Sequence, residues 1–217
     1  MSASGPSPKG LLDYAAGKIA AERALIEQVD VPYTIIRPSH VVGPEDNLNC
    51  VQFYFQRLMD GEPLILTNGG VHSFQPVYRR DLANAYLLAL DSSRAVNEAY
   101  TIAQTKTCRL VEWVEYAATC LGVRSNLLNI PADVIDRADF TYAEPHHYTG
   151  TMTIDVSKAV SDLRFQATPI ESWTEATARW YRETVNHADS RGYEDRAKEV
   201  EFARRYLAKT EEFGSKT

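Results

Sequence analysis

The run VPYTIIRP, residues 31–38, limits the possible folds more than any other stretch. It is nearly continuous in apolar residues and Pro38 stops it, so both faces should be covered, as in a buried parallel strand. Such a strand needs neighbours on both sides, because each edge carries backbone donors and acceptors. The chain hardly supplies them. Few other segments read as strands, helical patterns outnumber them across the 217 residues, and this strand follows the first helix. The expectation is an α/β chain holding only part of a parallel sheet, with something missing ahead of its first helix.

Punctuation divides the rest. MSASGPSPKG, residues 1–10, is a flexible leader in which Ser7-Pro8 can cap and start a helix. A helix then runs to about Gln28. NCVQFYFQRLMDG reads as a helix stopped by Gly61, and PLILTNGGVHSFQPVY as a hairpin turning at Asn68-Gly69. RRDLANAYLLALDSS is an amphipathic helix with Asp81 in its first turn, EAYTIA a strand, and TCRLVEWVEYAATCLG a helix closed by Gly122. Beyond residue 125 a short strand and helix lead to an aromatic, polar loop and two more helices. The tail from His187 is strongly charged and reads as an added helix packed lightly on the body.

A net charge of −6 gives no overall attraction to phosphate backbones and argues against nucleic acid. No apolar run approaches the length of a membrane span, and no export signal follows Met1. Cys50, Cys108 and Cys120 are an odd, widely spaced set, which suits reduced thiols in a cytoplasm and no disulfide frame. His146 and His147 are adjacent, with no carboxylate cluster at ligand spacing, so no metal site is expected.

In LLDYAAGKIAAERALIEQ, Tyr14 and Lys18 stand four residues apart and so share a helix face. A cation beside a phenol favours the phenolate, and a tyrosine tuned that way can exchange a proton with a hydroxyl or carbonyl. Alone, the spacing more often marks a surface aromatic beside a solvated lysine, and decides little.

Four stretches in order change the weight of that pair: DYAAGKIAAERAL, VPYTIIRPSHVVGPEDN, FQPVYRRDLANAYLLAL and IDVSKAVSDLRFQATPIESWTEA. Over about residues 11–185 the chain resembles the C-terminal half of an extended short-chain dehydrogenase/reductase, the NAD-dependent epimerase/dehydratase family. The resemblance implies an incomplete Rossmann-like fold: the catalytic helix, the last parallel strands and a C-terminal substrate-binding lobe. Residues 11–125 would form the Rossmann-like part with interleaved lobe segments, 126–186 the lobe, and 187–217 the charged helical tail. Tyr14 would be the general acid/base. Lys18 would lower its pKa and hold the nicotinamide ribose, and Pro38, Ser39, His40 and Val41 would pass beside the nicotinamide ring. Asn47, Asn49, Phe74, Arg80, His146 and His147 would face a small-molecule substrate. Arg37 reads as an anchor for the strand end, and Asp81 as a helix-start residue rather than a catalytic acid.

Two departures shape the functional expectation. The sequence holds no G-x-x-G-x-x-G or G-x-G-x-x-G turn to seat a pyrophosphate on a helix N-terminus, and NGG at 68–70 is too short to replace one. Where sugar-nucleotide members often carry an arginine, the resemblance aligns Phe74, which weakens a sugar-diphosphate reading. NAD or NADP would therefore bind only with a complementary N-terminal Rossmann half supplied by a partner, with self-association the other way to cover the open surface. The alternative is a non-catalytic, epimerase-like binding or scaffold protein associated with RNA. A third reading is an enzyme using the pocket for proton transfer without nicotinamide.

Overall fold

The computed structural model describes residues 8–28, 30–46, 50–142, 144–145, 153–184 and 193–214. In chain order the elements are α1 (Pro8–Ile26), β1 (Thr34–Pro38), β2 (Val41–Val42), α2 (Gln52–Met59), β3 (Leu64–Thr67), β4 (Ser73–Phe74), β5 (Val77–Tyr78) and α3 (Arg79–Leu90). They continue with β6 (Glu98–Ile102), β7 (Cys108–Arg109), α4 (Leu110–Leu121), β8 (Leu127–Ile130), α5 (Ala132–Ile135), α6 (Ser157–Leu163), α7 (Ile170–Thr184) and α8 (Arg196–Gly214). The chain passes back and forth between two compact units. Unit 1 takes residues 1–42, 75–107 and 153–169, and unit 2 takes 43–74, 108–152 and 170–217.

Unit 1 is built on parallel pairs: β1 with β6, from Thr34 opposite Glu98 to Pro38 opposite Ile102, and β2 with β5. Its core gathers Val77, Ala85, Ala89, Tyr100, Ile102, Leu163 and Phe165. Ala85 and Ala89, one turn apart on α3, are small enough to let that helix lie close on the strands. Cover along the VPYTIIRP run is uneven, and among the described residues β1 has one partner strand, β6. Ile35 is buried, Tyr33 and Ile36 are half-buried, and Val31 stays exposed. Along α1 every side chain from Leu12 to Ile26 is exposed except Glu22 and Leu25, which are half-buried.

Unit 2 pairs β3 with β8 in parallel, Leu64 opposite Leu127 through Thr67 opposite Ile130, and β4 with β7 antiparallel. Trp113 of α4 stacks on Trp173 of α7 and donates its indole N–H to Thr174 Oγ1 at 3.0 Å, so its polar edge is satisfied inside the core. Gly122 ends α4 in the left-handed region at φ 72°, where a glycine costs least.

Two sequence expectations give way here. Residues 63–78 form no hairpin: β3 is buried at all four positions and runs parallel to β8. Asn68, Gly69 and Gly70 all take positive φ, and the Asn68 side-chain oxygen accepts the N–H of Ala132 at the start of α5, so the turn redirects the chain instead of reversing it. The continuous LILT run, with no polar alternation, was the sign of a parallel strand. The tail is not lightly packed either. On α8, Glu199 accepts three hydrogen bonds from the Arg57 guanidinium of α2, both side chains being almost fully buried. Arg196 reaches Asp60 and Glu199, and Ala203 is buried in a cluster with Ile65, Ile130 and Ile135.

Candidate functional site

Within unit 1 the candidate catalytic pair lies on α1. The Lys18 ammonium stands 5.5 Å from the centroid of the Tyr14 ring, and Tyr14 is 64% exposed. Glu22 continues the same side one turn further, and the Arg37 guanidinium at the end of β1 donates to both its oxygens, from Nε at 2.9 and 3.1 Å and also from Nη2. Those hydrogen bonds lower the Glu22 pKa and raise that of Arg37. Arg37 thus ties the ridge that carries Tyr14 and Lys18 to the strand end preceding the Pro38–Val41 loop.

That loop is held by its backbone. Ser39 donates its N–H to Ile102 O at 2.9 Å and its hydroxyl to the Gln75 carbonyl at 2.7 Å. His40 O accepts the N–H of Val77 at 2.9 Å, and Val41 enters β2. Gln75 extends the fixation. Its buried amide donates to Gln104 O and Ile154 O and accepts from Ile154 N–H, each at 2.8 Å. Gln104 in turn donates to Thr168 O, and Asp81 accepts from the N–H and hydroxyl of Thr168. Asp81 is therefore a brace from the first turn of α3. Sequence reasoning missed Gln75 and Gln104. The available signal was an uncharged amide set between apolar neighbours in SFQPVY, a residue type that is buried only when its hydrogen bonds are met. A shallow groove of ≈ 590 Å³ opens beside Gln75, lined by Thr105, Thr107, Thr153, Asp155 and Ser157.

Of the substrate-side residues, Arg80 and Phe74 are described, one in each unit. Arg80 is exposed in the first turn of α3 in unit 1. Phe74, in unit 2, is 1% exposed with its ring 4.6 Å from Trp113, and so serves the aromatic core. Asn47, Asn49, His146 and His147 lie outside the described residues. Among the described residues no group of three or more His, Cys, Asp or Glu could hold a metal. The thiols are free, and burial pushes Cys50 up to about 12 and Cys108 up to about 11, which makes both poor nucleophiles.

The residues present fit one end of a nicotinamide dinucleotide. An ammonium and a phenol on one open helix face can hold ribose hydroxyls and pass a proton. The glycine turn at 68–70 does not fit the pyrophosphate. A Cβ on Gly69 would lie 3.2 Å from the Asn129 side chain, and one on Gly70 3.2 Å from the Val111 nitrogen, so protein already fills that space.

Parallel strands, a Tyr-x-x-x-Lys helix and the wired strand-end loop define an α/β chain with part of a Rossmann-like fold. Residues 3–103 match the NAD dependent epimerase/dehydratase family. The chain is 32% identical over 90 residues to the chloroplast stem-loop binding protein of 41 kDa b of Arabidopsis thaliana, an alignment covering 42% of this chain and 24% of that protein. It is 26% identical over 183 residues to the mitochondrial NADH dehydrogenase [ubiquinone] 1 alpha subcomplex subunit 9 of Arabidopsis thaliana, covering 76% and 44%. Among solved structures it is similar to the dTDP-glucose 4,6-dehydratase of Bacillus anthracis in complex with NAD, with a TM-score of 0.62 and 20% identity over 82% of this chain and 53% of that one. The chain thus spans less than half of both curated relatives and about half of the dehydratase. No helix among the described residues is long and apolar enough to cross a membrane.

Proposed function

We propose that this chain supplies the proton-transfer pair and substrate lobe of an NAD(P)-dependent epimerase, dehydratase or reductase, with the cofactor-binding half contributed by a partner polypeptide. The observation that carries the reading is the placement of Tyr14 and Lys18 on one open face of α1, inside the span that matches the family. When bound, the nicotinamide would accept or return a hydride. Tyr14 would take or give the proton of the substrate hydroxyl or carbonyl through its phenolic oxygen. The Lys18 ammonium would favour the phenolate and hold ribose hydroxyls. Pro38, Ser39, His40 and Val41 would border the ring, their backbone being pinned by β5 and β6. Arg80 is the substrate-side candidate that the described fold leaves open; Asn47, Asn49, His146 and His147 are proposed beside it.

The exposed side chains of α1, and the single partner strand of β1 among the described residues, support a partner. Apolar surface left in water costs about 25 cal/mol per Å², and Leu12, Ile19 and Ile26 recur every seven residues along α1, each at least half exposed. A complementary parallel strand and helix layer, or a second copy pairing through α1, would cover them. Three free thiols suit a reducing compartment such as the cytoplasm.

A second reading has its own support. The relative aligned over 76% of this chain is named as a subunit of NADH dehydrogenase, which favours a non-catalytic subunit or scaffold made from the same fold. Tyr14→Phe separates the two. In the assembled protein it should cut turnover by about 10²–10⁴-fold with fold and assembly intact, because it removes one hydroxyl and keeps the ring. Unchanged activity, or unchanged ligand binding and assembly without turnover in either protein, favours the scaffold.

A further inference from the structure

Four polar side chains of unit 1 follow one another along a single line. On α1, Tyr14, Lys18 and Glu22 recur every four residues, so each lies one turn beyond the last on the same face. The Lys18 ammonium stands 5.5 Å from the Tyr14 ring centroid. At the far end of the ridge, Arg37 of β1 engages Glu22 with a fork: Nε donates to the two carboxylate oxygens at 2.9 and 3.1 Å, and Nη2 donates as well. Among the described residues no carboxylate is paired with Lys18.

Helix geometry makes this a choice between partners. Each Cα–Cβ bond of an α-helix tilts toward the N-terminus, so a side chain covers the turn before its own. Lys18 accordingly leans over Tyr14, and by the same rule Glu22 is aimed at Lys18. A carboxylate and an ammonium four residues apart attract each other on a helix surface. The carboxylate that Lys18 would meet is instead held by a guanidinium from a strand. An arginine suits that task, because its fork is always charged and matches both carboxylate oxygens at once. The pair is partly exposed and adds little to stability, so its larger consequence is where the charges go.

We propose that Arg37 is a positioning residue for the Tyr14–Lys18 pair: by occupying the Glu22 carboxylate, it keeps the Lys18 ammonium beside Tyr14 and free for a ligand hydroxyl. The inference rests on the proton-transfer role proposed for that pair. Such sorting of charge differs from a mere tether between α1 and β1. A tether needs both ends of the ion pair, whereas sorting needs Arg37 only while Glu22 is there to compete.

The test is a set of three variants of the full chain: Arg37→Gln, Glu22→Gln, and the two together. Acylation of Lys18 by a small amine-reactive ester, read by mass spectrometry, reports how far its amine is held in an ion pair. Arg37→Gln should slow it about twofold, the strength of an exposed pair four residues apart on a helix. Glu22→Gln should leave the wild-type rate, and the double variant should return to it. Turnover of the assembled protein should follow the same order. It should fall about two- to tenfold in Arg37→Gln, since cover by a partner strengthens the competing pair, and recover in the double variant. Equal losses in all three variants would mark a tether and overturn the proposal. So would an Arg37→Gln chain whose Lys18 is acylated at the wild-type rate. Should Arg37→Gln not fold, Glu22→Gln decides: wild-type acylation and turnover support sorting, and a loss in either overturns it. The proton-transfer reading fails separately, if Tyr14→Phe leaves turnover unchanged; the order of acylation rates still decides whether Arg37 sorts the charges.

Discussion

In unit 2 the largest side chains lie under cover: Tyr54, Phe55, Phe74, Trp113 and Trp173 are each 2% exposed or less. In unit 1 the first helix carries Leu12, Ile19 and Ile26 at 72%, 52% and 50% exposure, and α3 shows Leu87 and Leu90 to water. Both units come from one chain of ordinary composition, so the difference lies in how far each covers its large apolar side chains. Unit 2 closes around aromatic rings and a buried ionic network, which fixes its boundary. Unit 1 has the inner wiring of a finished sheet end, from Ser39 through Gln75 and Gln104 to Asp81, beside a helix that covers almost nothing. The described part of α1 is held to β1 by the Arg37–Glu22 pair, whose side chains are 51% and 27% exposed, and exposed pairs contribute little.

The comparison predicts where substitution hurts. The largest effect should come from Arg57→Met in unit 2. The change keeps an apolar stem beside Phe53, over which the guanidinium lies at 3.5 Å, but strips Glu199 of its bidentate partner in a buried site. Breaking such a pair from one side typically costs about 3–5 kcal/mol, and a urea melt of the full chain reads it directly. A loss below about 1 kcal/mol would mean that α8 is a dispensable addition and that unit 2 closes without it.

Gln75→Leu should rank second, and it probes the finished side of unit 1. Leucine has similar bulk but no amide, so Gln104 O and both backbone groups of Ile154 lose hydrogen bonds in a buried position. Unmet buried groups cost about 1–3 kcal/mol. Thermal melting should drop accordingly, and amide exchange at Ser39 and Ile154 should accelerate ahead of the α3 amides. A uniform acceleration across unit 1 would show that Gln75 adds general cohesion instead of fixing the loop.

Much of this contrast was written in the sequence. Helix periodicity located α2, α3 and α4, with glycine stops after α2 and α4, and the apolar run at 31–38 announced a parallel strand. The hairpin expectation failed because Asn68-Gly69 carries the positive φ that a tight reversal also needs, and only a third positive-φ residue and the cap on Ala132 send the chain elsewhere. The α8 network was hidden because Arg57 and Glu199 are 142 residues apart, and charged residues on a polar helix read as solvated. In the site, the four-residue spacing on one helix marked Tyr14 and Lys18 as a candidate pair, whereas Gln75 works through backbone groups of distant segments that leave no local pattern. Phe74 shows the limit of alignment by motif: its position in the chain suggested a pocket, and its packing on Trp113 puts it in a core.

The smallest expected change in stability carries the most information about unit 1. Leu12→Ser with Ile19→Ser alters two side chains that are 72% and 52% exposed, so little apolar area returns to water and the melting midpoint should move within the ±0.5 kcal/mol usual for surface sites. The leucine-to-serine change also lowers helix propensity by a few tenths of a kcal/mol, whereas isoleucine and serine rank about equal. Association should respond differently. If the stripe Leu12-Ile19-Ile26 is a contact face, the double variant should sediment as a smaller species than the wild-type chain at the same micromolar concentration, or lose a co-purifying partner. Two results would break the comparison. A melting loss of 2 kcal/mol or more would show α1 buried in solution against its own chain. A wild-type chain that sediments as a compact monomer, indistinguishable from the variant, would show that unit 1 is finished as it stands and that its open helix face needs no cover.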